Sequence, residues 1–147
     1  MFSLVNIVEK MLGTLLVLFA TSQVLAFEVS GESFPAEFSM TSWSSTPDGS
    51  SMTGEGVVGE GYGKVYLNYD FKSNSSDRNK GNFVGSLRSI NNDGVMVAAT
   101  LQGIWKREGK IVTIHTLDSF SNGDMIYAKG RVDLVVGSPS FTAFPIE

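Results

Sequence analysis

His115 is the only histidine in a 147-residue chain that contains no cysteine. Nucleophilic catalysis of the Ser-His-Asp kind therefore has one available base, and thiolate nucleophiles, disulfides and cysteine zinc sites are excluded. His115 lies in Ile111-Val-Thr-Ile-His115-Thr-Leu117, where strict alternation puts it on one face with Ile111, Thr113 and Leu117. If that face lines an interior, an imidazole there is a proton-transfer group, since histidine is the side chain that titrates near neutral pH. If it faces outward, His115 is a half-buried polar residue of a strand. It is the one catalytic candidate the residue types single out.

The remaining polar groupings carry less. Asp118, Asn122 and Asp124 make an oxygen-rich segment around Asn122-Gly123. Their spacing does not fit a calcium loop, and an Asx turn accounts for the same residues, so no metal is expected. Gly54, Gly56 and Gly59 spell a Gly-x-Gly-x-x-Gly. A dinucleotide site needs that motif between a strand and a helix in a parallel sheet, and no helix follows here. The glycines instead suit strands that bend sharply in a closing sheet, and no cofactor is expected. Glu37, Glu55, Glu60, Asp70 and Asp133 lie in or beside strand-like runs. A carboxyl buried in an apolar cavity has its pKa raised and becomes a general acid or base, but the spacing selects none of these five. A net charge of −4 and a pI of about 4.9 argue against a nucleic-acid partner.

The elements that must position these residues begin after an address. In residues 1–26, Lys10 precedes the apolar run Met11 to Ala20, and Val24-Leu25-Ala26 is a small-residue cleavage site, the pattern of a secretory signal peptide. The competing reading is an uncleaved anchor. Met11 to Phe27 is 17 residues, with Thr and Ser among them, against roughly 20 mostly apolar residues for a spanning helix. The expectation is a secreted or periplasmic protein of residues 27–147 with no stable membrane anchor after cleavage. A secreted domain without disulfides must stand on its own core. One sequon, Asn74-Ser75-Ser76, falls in a polar loop.

Only five Leu and five Ala follow position 26, while Gly, Ser, Val, Phe and Tyr abound, which disfavours helices and suits strands. Period-two runs bounded by turn residues recur along the chain. Phe38 and Met40 alternate before Thr46-Pro47-Asp48-Gly49, and a glycine-heavy run covers Ser51 to Val58. In Tyr62 to Phe71, Val65, Leu67, Tyr69 and Phe71 take one face and Lys64, Tyr66, Asn68 and Asp70 the other. Lys72 to Gly81 is a polar loop. Asn82 to Ile90, Val95 to Trp105, Ile111 to Leu117, Met125 to Val136 and Phe141 to Ile146 follow, with Asp118 to Asp124 read as a turn.

About eight strands in up-and-down order predict an all-β fold, a single eight-stranded antiparallel β-barrel, because an open meander would leave sticky edges. A two-sheet β-sandwich has the same strand count and is the alternative.

The stretches Gly61-Tyr-Gly-Lys-Val-Tyr-Leu-Asn-Tyr69, Gly81-Asn-Phe-Val-Gly-Ser-Leu-Arg88, Gly103-Ile-Trp105, Ser121-Asn-Gly-Asp124 and Ala128-Lys-Gly130 resemble members of the allene oxide cyclase barrel-like superfamily. The resemblance implies an eight-stranded barrel around an apolar cavity that steers a reactive substrate into a cyclised product. No site residue is carried over from it. The residues themselves favour a barrel that binds a small apolar molecule in its interior, with Tyr66, Phe83, Trp105 and Tyr127 as candidate lining. A cyclase or isomerase on the same barrel and a structural or interaction protein without ligand are the alternatives.

Overall fold

The structure is a computed structural model that describes Val29 and residues 32 to 146. The signal-peptide segment, residues 1–26, lies outside the described residues. Eight strands follow one another: β1 (Phe34–Thr46), β2 (Gly49–Val58), β3 (Gly63–Ser73), β4 (Lys80–Ile90), β5 (Met96–Glu108), β6 (Ile111–Phe120), β7 (Met125–Asp133) and β8 (Ser138–Pro145). Each pairs antiparallel with the next, and β1 returns to β8 through Phe34↔Ala143 and Ala36↔Phe141. The sheet is a closed barrel. Closure satisfies both edges and excludes the sandwich.

Alternation along each strand decides what lies inside. On β3, Val65, Leu67, Tyr69 and Phe71 are buried, while Tyr66 and Asp70 are exposed. The same phase places Phe83 of β4, Leu101 and Trp105 of β5, and Ile114 of β6 in the interior. Apolar inside and largely polar outside is the reverse of a barrel that faces lipid.

The half of the barrel holding the β1–β2 and β3–β4 turns is filled. Tyr69 and Phe83 meet edge to face at 4.9 Å, and Phe71 packs on Phe83 at 5.7 Å and on Trp105 at 6.0 Å. Met52 and Ile114 are fully buried among them. Each such ring removes about 150–250 Å² from water, so this layer supplies the core that disulfides supply elsewhere. Beside this layer Gly130 makes room for the Phe141 ring, from which a Cβ there would lie 2.1 Å.

Among the boundaries that differ from the sequence reading, which include β5 running on to Glu108 and β8 starting at Ser138, three have a local reason. β6 continues to Phe120, because Ser119 and Phe120 pair with Thr100 and Ala99 of β5. Asp118 is therefore a strand residue, and the turn is confined to Ser121–Asp124. β7 stops at Asp133, whose Oδ1 accepts the Val135 and Val136 N–H groups at 2.9 and 3.2 Å in an Asx turn. The polar loop after β3 shrinks to residues 74–79, and the sequon Asn74 is exposed within it.

Candidate functional site

At the end of the barrel opposite the filled layer, the interior holds a cavity of about 50 Å³. A single water needs about 10–15 Å³ of such space, so the cavity has room for about three to five waters. Its wall is mainly apolar, including Ala36, Val65, Leu67, Leu101 and Ala128. Small residues on β7 and β8, Ala128 and Ala143, leave the space that Phe and Trp close at the other end.

Two polar positions of β6, Thr116 and Asp118, point into this cavity together with Tyr69 of β3. Asp118 is the one carboxyl among the described lining residues. Burial raises its pKa from the ordinary 3.8 to about 7, against a lowering from the Thr116 hydroxyl. The Thr116 hydroxyl is within reach of both the Asp118 carboxyl and the Gln102 carbonyl, the latter at 3.2 Å. It has one hydrogen, so it donates to only one of them at a time. With Asp118 protonated, the carboxyl donates to Thr116 and Thr116 to Gln102; with Asp118 ionised, Thr116 turns to the carboxylate.

The β5–β6 ladder is open at this point. Its register runs through Ala99↔Phe120 and Thr100↔Ser119 and resumes at Gly103↔Thr116. The Thr116 side chain supplies the Gln102 carbonyl with the partner that the ladder omits. Tyr69 is fully enclosed, and its phenol is pushed well above the usual range, first by burial and then by the Asp118 charge. Asp118 and Tyr69 are thereby held toward their neutral, proton-donating forms near pH 7 and below.

Tyr62 covers the cavity. It stands in the β2–β3 turn, where Glu60, Gly61 and Gly63 take positive φ values of 58°, 84° and 76°. That backbone swings the ring over the mouth, against Phe120 at 5.3 Å and Phe34 at 6.3 Å. Its hydroxyl donates to Asp124 at 2.6 Å, and burial with this bond keeps the phenol protonated. The Asn122 amide donates to the same carboxylate at 2.9 Å, and Asn122 Oδ1 accepts the Asp124 N–H at 3.0 Å. The Asn122–Asp124 turn is thus a latch for Tyr62, and Asp118 faces away from it into the barrel. Among the described residues no cluster of three or more metal-ligating side chains forms.

The candidates from sequence divide. Phe83 and Trp105 point inward, but into the filled half, where neither lines the cavity. Tyr66 is 51% exposed on the outer face of β3 beneath the Lys64 ammonium, so it is not an interior lining residue. Tyr127 and His115 are also on the outside. They sit on opposite faces of their strands from Ala128 and Thr116, and the His115 Nδ1 and Tyr127 hydroxyl are bonded at 2.8 Å with stacked rings. His115 has its polar partner on the barrel surface and no path to the cavity. Of the five carboxylates weighed from sequence, Glu55 pairs outside with Lys64 and Asp133 with Lys110, and Asp70 accepts from Ser51 at 2.5 Å.

No family model, no curated protein and no solved structure matches the chain.

Proposed function

We propose that the barrel binds one small, largely apolar molecule in the cavity under Tyr62, with Asp118, Thr116 and Tyr69 fixing a single hydroxyl or carbonyl on it. The observation that carries this reading is an acid with a pKa raised to about 7 by burial, facing an otherwise apolar space. Apolar walls with a few convergent polar groups are the usual make-up of a ligand site, and perturbed acids gather in such sites. A filled core would have no use for a buried carboxyl, whose desolvation costs stability without a charge partner.

The cavity is smaller than the roughly 300–1,000 Å³ of ordinary ligand pockets. Occupation therefore requires Tyr62 to swing out, and the ligand is compact, of the size of a medium-chain alcohol. The leader-like residues 1–26 support a secreted or periplasmic site of action. Non-denaturing mass spectrometry of the purified protein with octanol tests the reading: a one-to-one adduct supports it, and a protein that stays ligand-free at saturating octanol removes it.

One observation favours the cyclase or isomerase alternative suggested by the resemblance to the allene oxide cyclase barrel-like superfamily. Asp118 near pH 7 is matched to general acid or base work, and Tyr69 supplies a second donor across the same space. Turnover of a bound unsaturated substrate that Asp118→Asn abolishes while binding persists distinguishes catalysis from binding alone.

A further inference from the structure

At the opposite end of the barrel a second pocket of about 350 Å³ opens beside the β1–β2, β3–β4 and β7–β8 turns. The Met52, Tyr69, Phe83 and Ile114 layer separates it from the Asp118 cavity. Its lining brings together Trp43, Trp105, Arg78, Arg107 and Asn79. These two tryptophans are the only ones in the chain.

Both arginines lack an anionic partner among the described residues. Arg78 donates to the Pro47 carbonyl at 2.7 Å, and Arg107 to the Gly109 carbonyl at 2.8 Å and Asn79 Oδ1 at 2.5 Å. All these acceptors are neutral. The nearby carboxylates are taken by lysines instead: Asp77 by Lys80, Glu108 by Lys106 and Asp133 by Lys110. Asp48 lies on the β1–β2 turn but does not line the pocket. A chain of net charge −4 thus presents two uncompensated guanidiniums at one mouth. Each guanidinium has five N–H donors, so most remain available.

The Asn79 carbonyl accepts the Arg107 N–H at 2.6 Å and its side chain the guanidinium, which fixes Arg107 beside the loop bearing Arg78. The same lining carries an apolar platform. Trp43 stacks on Phe71 at 6.0 Å and remains 39% exposed. Trp105 is held edge-on to Phe71 by its indole N–H, which donates to the Lys72 and Asn82 carbonyls, both at 3.1 Å. Paired guanidiniums recognise oxyanions through their planar forks, and an exposed indole face accepts a flat ring.

We infer that this mouth is a second binding site, for a small ring-bearing oxyanion: a carboxylate, sulfate or phosphate on Arg78 and Arg107 with its ring on Trp43. It is independent of the reading of the Asp118 cavity. Because both tryptophans line the pocket, intrinsic fluorescence reports on it directly. Titration with phenyl phosphate is expected to give a saturable change, with inorganic phosphate and neutral phenol each at least about tenfold weaker. Arg78→Gln, whose guanidinium holds only one carbonyl, is expected to weaken phenyl phosphate about tenfold or more while melting as the parent does. Trp43→Ala is expected to bring phenyl phosphate down to the affinity of inorganic phosphate. No saturable change, or equal affinity in parent and a folded Arg78→Gln, overturns the inference.

Discussion

Tyr62 and Asp124, distant in sequence, meet at 2.6 Å across one end of the barrel, phenol donating to carboxylate. The bond ties the β2–β3 turn to the β6–β7 turn and holds the Tyr62 ring over the cavity that Asp118 faces. Tyr62→Phe removes only the bond and is expected to cost about 1 kcal/mol in denaturant unfolding. Tyr62→Ala removes the ring as well and is expected to speed octanol uptake in stopped-flow measurements. Equal uptake rates in parent and Tyr62→Ala would show that Tyr62 does not gate the cavity.

Asp118 makes stability depend on pH in a known direction. Its pKa is raised from 3.8 to about 7 in the fold, so between those values the folded protein holds a proton that the unfolded chain has lost. The contribution to stability from this group is full below pH 4, falls as pH rises to 7 and is flat above. At about 1.4 kcal/mol per pKa unit the fall reaches at most about 4 kcal/mol. Asp118→Asn is expected to flatten that slope and to be more stable than the parent above pH 7, as read by urea unfolding across pH. An unchanged slope would place the carboxyl in water.

His115 belongs to the outside of the barrel, bonded to Tyr127. His115→Ala is expected to leave octanol binding unchanged and to cost about 0.5–1 kcal/mol, the value of a cross-strand pair. A large loss of binding with an intact fold would return His115 to the site.

Gly130 is a position where a side chain of the inner wall leaves no room for a methyl group. A methyl group there meets the Phe141 ring at 2.1 Å, and Phe141 also lines the cavity. Gly130→Ala is expected to cost about 1–3 kcal/mol in thermal or urea unfolding, with a reduced capacity for octanol as the ring is driven inward.

The strands were legible because period-two runs and turn residues coincide: Val65 to Phe71 alternates cleanly, and Asp93-Gly94 and Glu108-Gly109 mark turns. The site was not, and the reason lies in β6. Asp118-Ser-Phe-Ser-Asn-Gly-Asp124 has the composition of a loop, yet its first three residues pair with β5 and β7. Continuing the alternation to Phe120 would have given one face Val112, Ile114 and Phe120, against Ile111 and Leu117 on the other. That phase puts Thr116 and Asp118 inside and His115 outside. Tyr66 was separable from Val65 and Leu67 by the same alternation, and so was Tyr127 from Ile126 and Ala128, since it shares the charged face of β7 with Lys129, Arg131 and Asp133. Nothing local marks Tyr62 as a cover, since its place depends on Asp124 reaching it from the far side of the barrel.

Non-denaturing mass spectrometry with octanol, run on the parent and on Ala128→Phe, tests the interior site most directly, because Ala128 lines the cavity and a phenyl ring there fills it. The expected result is a one-to-one adduct on the parent that is lost in Ala128→Phe with the cooperative melt retained. An adduct carried equally by both proteins, or by neither, would contradict a ligand site inside the barrel.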